Sequence, residues 1–312
     1  MKRTSILVWA FAIVLTLAGT AFADGPRPLV VDDDRLDCPN ADFTSIQAAV
    51  DAAPPDATIQ VCAGIYHESV TITKDGLKLL VKGPRGGAVV DSMFVPEAGF
   101  FVENASRVRI EGFTMRRGHE AGILLEGASK STIRNNLTTG AGHDGIELIN
   151  SSDNVIEYNV TFDNLAVNAC GINVAGPNSR GNVVRYNVSV NNEWGIQISA
   201  AVDTVVFRNR TIGNRGNGIR NVGAASGTVI ERNSAFGNGF APSALTGTTN
   251  AGIRIGSGTG IVVARNHAFG NDLVDLLSGV TTATFDDNRC NTSAPPGLCE
   301  HKGNDSDDDN DQ

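Results

Sequence analysis

The chain is short of positive charge, of methionine and of long apolar runs. Lys and Arg number 25 against 34 Asp and Glu, for a formal net charge of −9. That balance excludes nucleic acid and anionic membrane as natural partners, since both are held through surplus cations. Beyond Leu17 no stretch reaches the roughly 18 consecutive apolar residues of a spanning helix, which excludes a downstream membrane anchor. Beyond Met1 there are only Met93 and Met115, and the five histidines are scattered, so no resident metal site is expected. The one apolar run, Ile6 to Leu17, follows Lys2 and Arg3 and precedes Ala21-Phe22-Ala23. This is the pattern of a secretory signal peptide over 1–23, and it predicts a periplasmic or extracellular protein. No cysteine directly follows the run, so a lipid anchor is not expected. Export permits disulfides. Cys290 with Cys299 closes a short loop, Cys38 with Cys62 ties the leader to the first coil, and Cys170 is left as a buried single residue.

What the chain does have is a repeat. Gly-Ile pairs stand at Gly122-Ile123, Gly145-Ile146, Gly171-Ile172, Gly195-Ile196, Gly218-Ile219 and Gly252-Ile253. An asparagine keeps step at Asn136, Asn159, Asn187, Asn209, Asn233, Asn266 and Asn288, and a second row follows at Asn164, Asn192, Asn214, Asn238 and Asn271. A period near 23 residues with short Val/Ile strands leaves no room for crossover helices. It predicts stacked coils, each burying its apolar face on its neighbours. The expected fold is all-β: a single-stranded right-handed parallel β-helix of about ten coils over 24–299, with regular repeats over 118–290. The glycines are expected at tight turns into strands, and the asparagines at turns where they form ladders between coils. Residues 24–40 read as irregular. Thr44-Ser45-Ile46-Gln47 is a capping-box pattern opening a short amphipathic helix over 44–53, which covers the open end of the stack. Residues 239–250 read as an inserted loop, and 300–312 as a disordered acidic tail.

Two stretches carry a resemblance. Phe43 to Pro54, then Ala63-Gly64-Ile65-Tyr66-His67-Glu68-Ser69-Val70-Thr71-Ile72, resembles the opening of the pectate-lyase-like β-helix superfamily, which includes pectin methylesterases. The later coils resemble the right-handed β-helix repeats of carbohydrate-binding and sugar-hydrolysis domains, and of a periplasmic copper-maturation family. The resemblance implies the fold and a polysaccharide partner. The chain departs from these families at their signatures. The Gln-Asp-Thr and Asp-Phe-Ile-Phe-Gly contexts are absent, as is the Asn-Thr-Asp and Gly-His-Gly pair, which Gly142-His143-Asp144-Gly145 only echoes. The Met, His or Cys clusters expected of a copper protein are absent too.

Register then lists what shares one outward face: Asp144, Trp194 and Asn217 beside the glycine, and Leu124, Glu147, Asn173, Gln197, Arg220 and Arg254 two residues past it. Trp194, expected to be exposed, could stack on a sugar ring. Arg220 and Arg254 could pair with uronate carboxylates, and Asn173 and Gln197 could bond hydroxyls. The catalytic candidates are His143, Asp144, Glu147 and Glu120. Asp144 with Glu120 could flank a glycosidic bond or bind Ca²⁺. His143 with Glu147 and Asn173 could take a proton next to a carboxylate, as a lyase or epimerase does. The expected function is therefore binding of an extracellular, uronate-containing polysaccharide by a monomer, with cleavage or epimerisation left open. The alternatives are a structural or adhesive envelope protein, or a periplasmic metal-maturation protein.

Overall fold

A computed structural model of the chain describes residues 27–94, 98–240 and 250–300. The expected signal peptide over 1–23, the inner part of the 239–250 insertion and the expected tail beyond Glu300 lie outside the described residues. Among the described residues the strands form three parallel sheets of eleven, ten and ten strands, one strand per sheet per coil. The expected right-handed parallel β-helix is the fold, and no described helix is long and apolar enough to cross a membrane.

We call the sheets A, B and C in the order the chain visits them. Sheet A holds Thr58–Val61, sheet B holds Gly64–Tyr66, and sheet C holds Val70–Ile72. Strands of sheets A and B are three or four residues long in the regular coils, while sheet C reaches six, as in Asp144–Ile149. Coils stack at about 4.8 Å, so each side chain lies over its equivalent in the next coil. The inward rows, such as Ile123, Ile146, Ile172, Ile196, Ile219 and Ile253, are fully or almost fully buried in one continuous core.

Both asparagine rows form ladders. After the first member of each row, the Asn side-chain oxygen accepts from the backbone N–H and the amide of its equivalent one coil earlier, for example at 2.9 and 3.0 Å from Asn187 to Asn209. The second row ends on a carboxylate: Asn271 donates its backbone N–H and amide to Asp275 Oδ1 at 3.2 and 2.9 Å. All of these asparagines are buried, so each closed ladder removes a desolvation cost of about 1–3 kcal/mol per polar group.

Three expectations are corrected. Five of the six repeat glycines are not turn residues but lie within sheet C strands, Gly218 alone keeping a bend before its strand, and they face the core. A Cβ on Gly145 would fall 2.6 Å from Thr138 Oγ1 and 2.9 Å from Asn164 Nδ2, and Gly218 meets the equivalent Thr211 and Asn238. The glycine is required by close approach across the core. The leader is not wholly irregular, because Leu29–Val31 forms a strand on Ile59 to Val61. The helix α1 (Ile46–Ala52) is capped by Ser45 rather than Thr44, and Gln47 closes no box. Glu68 does that work from the first coil, accepting from Ile46 N at 2.7 Å, Gln47 N at 2.9 Å and the Ser45 hydroxyl at 2.8 Å. A carboxylate at a helix N-terminus satisfies free N–H groups and opposes the dipole. At the other end Lys74 Nζ donates to the carbonyls of Val50, Asp51 and Ala53. Both expected disulfides, Cys38–Cys62 and Cys290–Cys299, form, and Cys170 is free and buried.

Candidate functional site on sheet C

The inward Gly-Ile pair decides which residues meet outside. With Gly145 and Ile146 both turned to the core, Asp144 before them and Glu147 after them emerge on the same outer face. The amide of Asn173, one coil on, donates to both, at 3.0 Å to Asp144 Oδ2 and 3.1 Å to Glu147 Oε1. Asp144 Oδ1 also accepts the Cys170 backbone N–H, and His143 Nδ1 lies 3.2 Å from Asp144 Oδ2. The chain of bonds continues outward, with Gln197 Nε2 donating to Asn173 Oδ1 at 3.0 Å. Register then runs from Gln197 to Arg220 and Arg254. The structure thus brings His143, Asp144, Glu147, Asn173 and Gln197 into one bonded network, with the two arginines following in line.

Glu120 stays apart. It is half-exposed and pairs with His119 at 3.4 Å, so the expected pairing of Asp144 with Glu120 across one bond is not assembled. The face is also far drier than a solvated sheet surface. Asp144 is fully buried, Asn173 is 5 % exposed and Glu147 8 %.

Trp194 is corrected most sharply. It is 4 % exposed rather than open to solvent. The guanidinium carbon of Arg220 sits 3.6 Å from its ring centroid. The indole edge packs on Gly216, where a Cβ would fall 2.4 Å from Trp194 Cδ1. Sequence reasoning missed Gly216; its only signal was a glycine one coil after the tryptophan.

Burial and charge set the protonation of the cluster. Burial, then the charge of Asp144, pushes Glu147 up to about 8. The hydrogen bond to Asp144 raises His143 to about 9 against the opposing effect of burial, helped by the charges of Asp144, Glu147 and Glu120. At neutral pH both groups therefore carry their protons, so neither is a ready base. Burial pushes the Cys170 thiol well above its ordinary range, which removes it as a nucleophile. Burial pulls the guanidinium groups of Arg220 and Arg254 below theirs.

Neither arginine has a carboxylate partner among the described residues, and several buried polar atoms beside them have no hydrogen-bond partner. These are Arg220 Nε, Trp194 Nε1, Asn217 Nδ2 and Gln197 Oε1. Buried polar groups are normally satisfied, so four such atoms in line with two unpaired arginines call for an explanation.

A stacked parallel β-helix with a polar, partly dry row across one sheet defines the class. The chain belongs to the family described as periplasmic copper-binding protein (NosD), whose model matches residues 65–241. No curated protein matches it by sequence. Among solved structures it is similar in fold to a rhamnogalacturonan lyase (12 % identity, 87 % of this chain and 88 % of that one, TM-score 0.62). It is also similar to an alginate lyase from Paenibacillus sp. str. FPU-7 (15 %, 81 % and 93 %, 0.56). A third likeness is to the pectate lyase Pel9A (18 %, 86 % and 78 %, 0.54).

Copper in the family description makes the donor set worth testing. Donor atoms of His143, Asp144 and Glu147 lie within 4.8 Å of one another, and Asp32, Asp33 and Asp34 form a second, purely acidic group. One imidazole and two carboxylates suit a borderline or hard divalent ion, whereas copper(I) prefers thiolate and thioether. Met115 is locked in the core, Met93 is about half exposed and the Cys170 thiol is buried and protonated. The described residues do not assemble a copper(I) site.

Proposed function

We propose that this is an exported, carbohydrate-active β-helix protein that binds a uronate-containing polysaccharide along the sheet C row from Glu147 to Arg254. The observation that carries the reading is the pair Arg220 and Arg254, stacked in register, partly desolvated and without a carboxylate partner. Two like charges left this way are costly unless an anion joins them, and guanidinium matches a carboxylate in two-pronged geometry. The fold it shares with lyases of acidic polysaccharides supports the same ligand class, and its two disulfides and its family's periplasmic description support export. The row is complete within one chain, so we read the working unit as a single copy.

Roles follow from position. Arg220 and Arg254 hold sugar carboxylates, the unpartnered Gln197 Oε1 accepts from a hydroxyl, and Asn173 positions Asp144 and Glu147. At the acidic end, His143, Asp144 and Glu147 form a proton store. With His143 and Glu147 protonated, this end donates a proton to a leaving oxygen at neutral pH. Above about pH 8, Glu147 becomes a carboxylate able to take the proton next to a uronate carboxylate, as lyase or epimerase chemistry requires.

The test is a screen of the protein against pectate, alginate, hyaluronan and neutral glycans, with and without Ca²⁺. It follows absorbance of unsaturated ends and release of reducing ends together with binding. Turnover that vanishes in His143→Ala assigns the chemistry to this cluster. Binding without turnover leaves a carbohydrate-binding protein, and neither leaves the structural or adhesive reading. The family's copper description supports metal handling as a second reading. Its check is equilibrium dialysis with copper, where stoichiometric uptake lost in His143→Ala would favour it.

A further inference from the structure

Trp194 and Arg220 are where the row's unmet bonding concentrates. The indole is fixed along its edge by the Gly216 backbone and covered on one face by the Arg220 guanidinium at 3.6 Å. The cover is a long, flexible side chain. Among the described residues Arg220 Nε has no acceptor and no carboxylate pairs with the guanidinium, so the ring is its named contact. Arg254, one coil on, adds like-charge repulsion. A cation over a desolvated indole is worth about 0.5–2 kcal/mol. A charge-assisted bond to a carboxylate is worth about 1.5–3 kcal/mol, and guanidinium makes two at once. A carboxylate arriving between Arg220 and Arg254 therefore outbids the ring for the guanidinium.

We infer that Arg220 determines the specificity of the row by acting as a displaceable cover on Trp194. An acidic sugar draws the guanidinium onto its carboxylate and uncovers the indole face for its own ring, whereas a neutral sugar finds that face closed. Acid recognition and stacking become one event. Asn217 Nδ2, buried and unpartnered one coil on from Trp194, is a donor for ring oxygens. The inference rests on reading the row as a glycan site and says how that site rejects uncharged chains.

The test uses the full chain carrying Trp9→Phe, which leaves Trp194 as the sole tryptophan. Acrylamide quenching reports access to the indole without any glycan. Arg220→Gln is expected to raise the quenching constant about twofold or more, as loss of a cation–π cover should. Arg220→Lys, which keeps the charge but cannot lie flat on the ring, is expected to raise it less, and it serves if the Gln variant folds poorly by circular dichroism. Titration with oligogalacturonate should change Trp194 emission in the parent, and a neutral cello-oligosaccharide should not. In Arg220→Gln the acidic affinity should fall about tenfold, and the neutral affinity should rise about 2- to 30-fold, the equivalent of the lost cover. Unchanged quenching in both variants overturns the inference whatever binds. Binding of oligogalacturonate with no change in emission overturns it while leaving the glycan reading intact. Raised quenching with no glycan bound by any form overturns both.

Discussion

On sheet A the outward residues Glu111, Arg134, Glu157 and Arg185 follow one another coil by coil with alternating sign. On sheet C the acids gather at one end of the row, at Asp144 and Glu147, and the cations at the other, at Arg220 and Arg254, with two amides between. The consequences differ in every contact. Glu157 holds Arg185 at 2.7 Å and lies 3.7 Å from Arg134, which in turn is 3.5 Å from Glu111. Burial works against the Glu111 carboxylate, yet hydrogen bonds from Arg109 and Asn135 keep it below its ordinary range. On sheet C the same coil spacing leaves Glu147 protonated and the cations unpaired. A row that neutralises itself needs no ligand. The sheet C row does not neutralise itself, which is why the functional reading is placed there.

The largest effect expected from this contrast is in Glu147→Gln. The native state holds Glu147 protonated up to about pH 8 and His143 up to about pH 9, while the unfolded chain releases these protons near the ordinary values of 4.5 and 6.5. Stability from both groups is therefore full at low pH and is lost as pH rises through 8 and 9. Glutamine mimics the protonated acid, so the variant should match the parent near pH 4 and exceed it by about 2–3 kcal/mol at pH 9 in urea denaturation. Equal stability at pH 9 would mean that Glu147 is not held protonated. On sheet A the sign reverses. Glu157→Ala strands Arg185 and leaves Arg134 with Glu111 alone, and should cost about 1–3 kcal/mol at pH 7, less than a fully buried pair because both guanidinium groups remain partly exposed. A neutral result there would erase the distinction between the rows.

Kinetics sharpen it further. If the row turns over its ligand with Glu147 or His143 as the base, kcat/KM should rise about tenfold per pH unit below pH 8 and level off above about 9. A rate highest at acid pH would make them donors instead. The smallest effect expected is on the fold of Arg220→Gln. Removing an unpaired, desolvated cation should change stability by no more than about 1 kcal/mol. A thermal melt showing a loss as large as that of Glu157→Ala would mean that Arg220 is a structural residue.

The repeat made much of this legible. The Gly-Ile pairs and the asparagine rows set the period, and a parallel stack with a fixed period fixes register. Asn173, Gln197, Arg220 and Arg254 could therefore be placed in one row from sequence alone. Local signals could not show side-chain direction at the irregular point of the strand. Register places Asp144 and Glu147 on one outward face, but the inward turn of both Gly145 and Ile146 that brings them onto one amide was not readable. Exposure was misjudged for a related reason. The cover on Trp194 comes from Arg220, a residue 26 positions later, and no period announces it. Glu68 capping α1 across 22 residues, and Leu29–Val31 pairing with a strand 30 residues on, are non-local in the same way.

The central claim is that the sheet C row receives an acidic glycan through its unpaired cations. The most direct measurement is calorimetric titration of oligogalacturonate, and of a neutral oligosaccharide of equal length, into the parent chain and Arg254→Gln. The acidic chain is expected to bind the parent, to bind Arg254→Gln about tenfold more weakly as one charge-assisted contact is lost, and to outbind the neutral chain in the parent. Equal affinity for both sugars, or no change in Arg254→Gln, would contradict it.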